Sequence, residues 1–179
     1  VGGWAEVLTF DARRSLTDRI SSRIEKAGIK RLGVEEEKLS HAAFQRWQQQ
    51  LSGCVLCPAQ QLFETLRAVK DEEELESMRL AQKISERALM ETLHSIKPGV
   101  SEREIAAELV YRMMKFGGEG CSFDPIVIAG AKTSMPHGVA GERVIQEGDF
   151  VTMDFGTKKN GYCSDMTRTV AVGYATEEM

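Results

Sequence analysis

The stretch that decides the fold is DFVTMDFGTKKNGYCSDMTRTVAV, residues 149–172. Apolar and polar residues alternate on both sides of Asn160-Gly161, which predicts two strands that each bury one face. Asn-Gly is the strongest short signal for a two-residue hairpin turn, because both residues tolerate a positive φ. The stretch therefore predicts a β-hairpin with strands over residues 149–157 and 162–172.

The predicted turn also determines which hairpin residues face each other. With a two-residue loop, Asp154 pairs with Thr167 and Gly156 with Asp165, so the two aspartates share one face as diagonal neighbours, with Cβ atoms roughly 7 Å apart. Carboxylates on an inner sheet face repel each other and lose hydration, and a proton, a basic partner or a cation must compensate. Two divalent ions about 3.5–4 Å apart would suit them. The alternatives are that both acids face solvent or that one pairs with Arg168.

A second candidate lies in a loop between predicted strands, in the segment Ser134-Met135-Pro136-His137-Gly138. The proline stiffens the approach to His137. A lone loop histidine is more often an ordinary surface residue, so the residues alone leave both a functional and a solvated His137 open.

Upstream of the hairpin the pattern is helical. A long helix is predicted over residues 72–96, and a capping box at Ser101 and Glu104 begins a second helix that buries Ile105, Leu109 and Met113. A short strand follows over residues 126–128. Residues 1–57 alternate helices (11–27 and 40–51) with short strands (29–34 and 55–56), which is typical of an α/β layer.

Composition excludes several classes of protein. The 179 residues are 42% hydrophobic and 28% charged, which fits a globular chain of one domain, or of a small domain plus a piece of another. With a net charge of −4 and no Lys/Arg cluster, a nucleic-acid partner has no electrostatic support. The longest apolar stretch, residues 125–131, is far too short for a bilayer, so no membrane partner is expected.

Four cysteines are present, at positions 54, 57, 121 and 163. Cys54-Val55-Leu56-Cys57 has the spacing of half a zinc site or a redox pair, but no second pair completes a zinc site, and Val-Leu favours a buried strand. Free, mostly buried thiols predict a reducing, cytoplasmic location.

Four ordered segments resemble the pita-bread metallopeptidases, the family of methionine aminopeptidase, aminopeptidase P and prolidase. These segments are residues 122–130, 136–138, 147–156 and 161–169, and residues 66–71 and 97–102 match the family's entry into its catalytic domain. The match is closest to Xaa-Pro aminopeptidases and dipeptidases. It implies an α+β fold, with the first half of a pita-bread catalytic domain over residues 60–179. The tail of a smaller creatinase/prolidase-type α/β domain is expected over residues 1–59.

The resemblance implies a role for each matching residue. Asp154 and Asp165 match the family's first two metal ligands, and His137 matches a histidine that contacts substrate and helps stabilise the tetrahedral intermediate. The other three ligands, a histidine and two glutamates, belong to a second half that would begin at about residue 176. A start without Met and an end at a helix-start signal predict a chain truncated at both ends.

The implied chemistry is metal-dependent hydrolysis at the N-terminus of a peptide substrate, with proline in the second position. Two divalent ions, assigned as Mn, Co or Zn in this family, would bridge a water and lower its pKa. His137 would donate to the developing oxyanion or orient the substrate. With two ligands of five, this chain alone is expected to hold metal poorly, if at all, and to have little activity. A homodimer is left open.

Three rival interpretations remain, one of which is a purely structural or dimerising role for the N-terminal piece, which no feature of the sequence tests. A non-catalytic pseudo-peptidase that binds peptides or proteins would be expected to lose metal ligands, whereas Asp154, Asp165 and His137 are all present. Creatinase-like hydrolysis without metal is disfavoured, because that branch lacks the aspartate pair.

Overall fold

The computed structural model describes residues 15–51 and 53–179. The chain divides into two compact units, of which the first ends at Val69 and the second covers Lys70–Met179. The hairpin and all three predicted site residues belong to the second unit.

The first unit alternates helices and short strands, as predicted. Its elements are α1 (Leu16–Ala27), β1 (Arg31–Val34), α2 (His41–Gln50), β2 (Val55–Pro58) and α3 (Gln60–Ala68). β1 and β2 pair in parallel. Residues 11–14 of the first predicted helix lie outside the described residues, and α3 was not predicted.

The cysteines of β2 correct one expectation. The strand exists, but it is not buried, since Val55 is 64% exposed. Cys54, Cys57 and Cys121 are half-buried and Cys163 is exposed, so the prediction of mostly buried thiols was wrong. The burial pattern of β2 is exposed at both ends and intermediate between them, so no residue of this short strand is fully buried.

The second unit contains two helices and a sheet. Its elements are α4 (Glu72–Leu93), α5 (Glu102–Lys115), β3 (Ile126–Ala129), a 3₁₀ turn (Gly130–Ser134), β4 (Phe150–Phe155), β5 (Lys158–Lys159), β6 (Tyr162–Cys163) and β7 (Met166–Ala171). The strands β3, β4 and β7 form an antiparallel sheet in that order, and β5 and β6 form a separate two-stranded ribbon.

Both helices of this unit begin at capping boxes. At α4 the Asp71 carboxylate accepts the Glu74 amide, and at α5 the Ser101 hydroxyl accepts the Glu104 amide; each glutamate reaches back to the cap residue. α5 buries Ile105, Leu109 and Met113, as predicted. No helix in the described part of the chain combines the length and apolarity needed to cross a bilayer.

The hairpin turn is the predicted one. Asn160 and Gly161 have φ values of 51° and 80°. Both residues are therefore left-handed, as this type of two-residue hairpin turn requires. Asp154 pairs with Thr167, which confirms the predicted register. The long arms of the hairpin are β4 and β7, and its tip is the β5–β6 ribbon.

Each predicted strand is interrupted once, near Gly156. The backbones approach so closely there that a Cβ on Gly156 would overlap the carbonyl oxygen of Ser164. The Gly156 carbonyl turns instead to the Ser122 amide, at 2.9 Å, and Thr157 forms a bridge with Cys121. The prediction of two unbroken strands was therefore wrong here, because a segment that precedes β3 takes over the pairing.

The core of the second unit lies between the sheet and the helices α4 and α5. Val151, Met153 and Phe155 alternate along β4 and are each 0% exposed. They belong to one apolar cluster with residues of both helices. The intervening residues, Thr152 and Asp154, are half-buried and face the other way. We call that side of the β3–β4–β7 sheet the open face.

Candidate functional site

Asp154 stands on the open face, near the end of β4. Its neighbours Met153 and Phe155 are fixed in the core, so the strand leaves the Asp154 side chain no other direction. The Thr167 hydroxyl donates to Oδ1 of Asp154 at 2.9 Å. This cross-strand bond orients a half-buried carboxylate.

Asp165 lies just before β7 and is exposed. Its two neighbours face α4: the Ser164 hydroxyl is 2.8 Å from the Ser85 hydroxyl, and the Met166 sulfur accepts from Gln82 at 3.6 Å. Asp165 also borders an open groove of about 630 Å³ beside α4. It falls at the break in the hairpin, outside the paired residues of β7.

Among the residues that the structure describes, no basic side chain neutralises either aspartate. Arg168, which the sequence offered as an ion-pair partner, donates to the Thr167 carbonyl at 2.7 Å. Within residues 15–51 and 53–179, no ion pair involves Asp154 or Asp165. In the same residues, no three His, Cys, Asp or Glu side chains come together as a metal site. Within the described residues, Asp154 and Asp165 are thus two carboxylates without a basic partner and without a clustered third ligand.

His137 is exposed, in the loop that leaves β3 through the 3₁₀ turn. The next residue, Gly138, is buried against Ile128, and a Cβ on it would come within 2.8 Å of the Ile128 side chain. Ile128 pairs with Thr152 of β4, two residues from Asp154. The loop therefore packs on the part of the open face formed by Ile128 of β3, on the side of the sheet that carries Asp154.

Sequence reasoning missed Glu102, the first residue of α5. It is 0% exposed and accepts hydrogen bonds from the amides of Ala129 (2.9 Å) and Gly141 (3.0 Å) and from Lys132 Nζ (2.6 Å). Burial alone would raise the pKa of Glu102, but Lys132 and the two amides hold that pKa below its usual value. One signal was available: Glu102 lies three residues before Ile105, on the buried stripe of α5.

Comparison with known proteins places these features in a family. Metallopeptidase family M24 matches residues 76–179, and the creatinase/prolidase N-terminal domain matches residues 2–69. The uncharacterised peptidase YqhT of Bacillus subtilis is 40% identical over 165 residues, which cover 92% of this chain and 47% of that protein. The Xaa-Pro dipeptidase of Pyrococcus furiosus is 41% identical over 113 residues, 63% of this chain and 32% of its own length.

A solved structure agrees with this result. The X-Pro aminopeptidase of Thermotoga maritima superposes with a TM-score of 0.87 at 37% identity, over 97% of this chain and 48% of that one. The chain thus spans at most about half the length of these relatives. The prediction of an α+β fold of the pita-bread type is confirmed. The chain belongs to metallopeptidase family M24.

Proposed function

We propose that this chain supplies part of the active site of a dinuclear metal-dependent peptidase that cleaves at the N-terminus of peptides with proline in the second position. The observation that carries the proposal is the pairing of Asp154 with Thr167, which places the Asp154 carboxylate on the open face with a hydroxyl as its hydrogen-bond donor. Support for the substrate comes from relatives named Xaa-Pro dipeptidase and X-Pro aminopeptidase.

Asp154 and Asp165 are the proposed metal ligands from this chain. Carboxylate oxygens are hard donors that suit Mn²⁺ and are also accepted by Co²⁺ and Zn²⁺. Ser164 and Met166 on either side of Asp165 both contact α4, and the exposed Asp165 lies at the edge of the groove beside that helix, where a cation can reach its carboxylate. Divalent ions bound there would supply a Lewis acid and a water of lowered pKa.

His137 is proposed to donate a hydrogen bond to the substrate carbonyl as negative charge develops on its oxygen. Two observations support this role: the loop packs on Ile128 over the open face, and the ring is exposed, so a bound peptide has access to it. The buried Gly138 anchors the loop beside the ring.

This chain alone is proposed to have little activity, because Asp154 and Asp165 are the only ligands proposed from its described residues. Two carboxylates hold a pair of ions more weakly than a full set of ligands would. The expected partner is a peptide in the cytoplasm, and a homodimer is compatible with the proposal.

The test is turnover of an Xaa-Pro dipeptide and a longer Xaa-Pro peptide by the complete protein with Mn²⁺. Asp154→Asn should lower kcat at least about 100-fold, because loss of a ligand should cost no less than loss of a residue behind a ligand. The matched control is Glu73→Gln, an exposed residue of α4 that does not line the groove beside Asp165; it removes one charge and should stay within about twofold of wild type. Full activity in Asp154→Asn would refute the metal role.

Metal removal gives an independent check. A chelator should abolish turnover by the complete protein, and added Mn²⁺ should restore it in wild type but not in Asp154→Asn or Asp165→Asn. If the complete protein binds Xaa-Pro peptides but never cleaves them, with or without metal, the pseudo-peptidase alternative replaces this proposal.

A further inference from the structure

The loop that carries His137 is fastened at both ends to one side chain. We call residues 130–140 the His137 loop. The amide of Ala129, just before the loop, donates to Oε1 of Glu102, and the amide of Gly141, just after it, donates to Oε2. These partners lie 27 and 39 residues beyond Glu102 in the sequence. A single carboxylate therefore fixes the distance between the two ends of the loop.

Lys132 links the Glu102 carboxylate to the His137 loop. Its Nζ lies 2.6 Å from Oε2 of Glu102 and also donates to the Val139 carbonyl, at 3.1 Å. Lys132 and Val139 flank His137 on its two sides, five residues before it and two after. The ammonium group thus bridges the two arms of the His137 loop, and the buried carboxylate holds the ammonium in place.

The backbone at the start of α5 is also hydrogen-bonded to the segment that follows the His137 loop. The Glu102 amide donates to the Arg143 carbonyl at 3.0 Å, and the Arg103 amide donates to the Gly141 carbonyl at 3.1 Å. Capping of the helix is performed separately, by Ser101. The carboxylate of Glu102 is therefore not needed to begin α5, and all its described partners belong to the His137 loop or its flanks.

Energetics indicate that this carboxylate has a role beyond packing. A buried charge costs several kcal/mol in desolvation, and a buried ion pair seldom stabilises a fold more than apolar residues of the same shape would. A charge at a fully buried position of α5 is therefore poorly explained by stability alone. It is well explained by a need to hold one loop in one conformation.

We propose that Glu102 is a positioning residue that holds the His137 loop, and with it the His137 ring, over the open face of the sheet. This inference rests on the role proposed above for His137. Glu102→Gln should release the loop, because an amide has only one acceptor oxygen and its NH₂ group would confront a backbone N–H or Lys132. A ring displaced by about 1 Å can cost up to about 100-fold in rate.

The first experiment measures hydrogen exchange in the complete protein and needs no activity. In Glu102→Gln, the hydrogen-bonded amides of Ala129, Met135, Gly138 and Gly141 should exchange at least about tenfold faster, while β4 and β7 keep their protection. The matched control is Glu108→Gln, the same change on the same helix, where the carboxylate accepts from Arg112 at 2.7 Å. Glu108→Gln should leave exchange in the loop unchanged. Equal loop exchange in wild type and Glu102→Gln would overturn the proposal.

The second experiment is a double-mutant cycle on kcat. Glu102→Gln should lower kcat and kcat/KM together by roughly 10- to 100-fold, because the lost contact is made in the transition state. Added to His137→Ala, it should cost less than about threefold more, since its effect passes through His137. A purely structural residue would give multiplied losses instead, and that result would overturn the proposal.

The two proposals fail in different ways. If His137→Ala leaves kcat unchanged, the role of His137 is refuted, and Glu102 then has no catalytic partner to position. If His137→Ala is impaired but Glu102→Gln is not, only the present inference fails. Should Glu102→Gln fold poorly, Lys132→Gln replaces it, because that side chain is 33% exposed and its loss leaves Glu102 bonded to both amides. Faster exchange at residues 139–141 and a smaller loss in kcat are then expected, and unchanged values would count against the proposal.

Discussion

The two faces of the β3–β4–β7 sheet are built from alternate residues of the same strands, yet they have opposite character. On the covered face, Val151, Met153 and Phe155 have no exposed surface. On the open face, Thr152 and Asp154 are half-buried, and their contacts are hydrogen bonds to threonines of β7. A shift of one residue in register would exchange the two sets.

This difference separates the residues that hold the fold from those proposed to act on substrate. Covered-face changes should alter the free energy of unfolding, and open-face changes should alter turnover with little effect on unfolding. The separation depends on the Asn160-Gly161 turn, which fixes the register. Pairs of similar residues in different settings test this separation.

The largest effect on stability is expected from the two phenylalanines of β4. Phe155 is fully buried on the covered face, whereas Phe150 is half-buried and occupies an open-face position. Phe155→Ala should lower the free energy of unfolding by about 3–5 kcal/mol, and Phe150→Ala by less than half as much. Denaturant unfolding followed by circular dichroism measures both. Equal losses would mean that the two faces do not differ as described.

The next largest loss of stability is expected at Gly156, where the backbone closely approaches that of Ser164. Gly156→Ala should cost about 2–3 kcal/mol, because the new Cβ meets the rigid backbone of Ser164 rather than a side chain that can move aside. Gly141→Ala is the matched control, since its nearest neighbours would lie at an ordinary 3.6 Å. If Gly156→Ala unfolds at the same denaturant concentration as wild type, the strands do not touch as the structure has them.

The acidic residues near the two ends of β4 have different hydrogen-bond donors. The two terminal guanidinium nitrogens of Arg143 donate to Asp149, at 2.8 and 3.0 Å, whereas Asp154 accepts from a hydroxyl. The hydrogen bonds from Arg143 hold the pKa of Asp149 below its usual value, and they outweigh burial, which would raise that pKa. A lowered folded-state pKa contributes stability above the unfolded pKa of about 4, and that stability is lost as the pH falls through the folded pKa.

Asp149→Asn should therefore lower the free energy of unfolding by about 1–3 kcal/mol at pH 7. The gap between wild type and variant should stay constant down to about pH 4 and narrow below it, as wild-type Asp149 also becomes protonated. Urea unfolding from pH 7 to pH 3 measures the gap. A gap that widens on acidification would show the opposite sign of linkage. Asp154→Asn, measured in the same way, should show a smaller gap at pH 7.

The parts of this fold that were predicted correctly depend on short-range sequence patterns. Asn160-Gly161 and the alternation around it specify the hairpin register, and the capping box at Ser101 specifies the start of α5. The buried stripe of α5 follows from helical spacing. Each of these signals involves residues only a few positions apart, so elementary stereochemistry is sufficient to interpret them.

The parts that were missed depend on residues far apart in sequence. The break at Gly156 exists because Ser122 takes its carbonyl, and a pattern within the hairpin cannot reveal that partner. The position of Glu102 on a buried stripe could have marked it as unusual, but its bonds to Ala129 and Gly141 follow only from the tertiary fold. The site was predictable to the extent that Asp154 faces its cross-strand neighbour, and the convergence of Asp154 with Asp165 stays a prediction.

The smallest effect on the free energy of unfolding is expected from a pair of hydroxyls on the open face. A similar pair on the covered face serves as the comparison. Thr152 and Thr169 share a hydrogen bond of 2.9 Å in an exposed setting, while Ser85 and Ser164 share one of 2.8 Å in a buried setting. Thr152→Val should change the free energy of unfolding by less than about 0.5 kcal/mol, because water replaces the lost partner of Thr169.

Ser85→Ala should cost more, about 0.5–1.5 kcal/mol, because it removes a buried hydrogen bond that water cannot replace, while the Ser164 hydroxyl keeps its bonds to the amide and carbonyl of Thr157. The ratio of the two losses in free energy of unfolding, both measured by denaturant unfolding under the same conditions, reports how far each face excludes water. If Thr152→Val proved as costly as Ser85→Ala, the open face would be sealed from solvent, and a peptide could not reach Asp154 from that side.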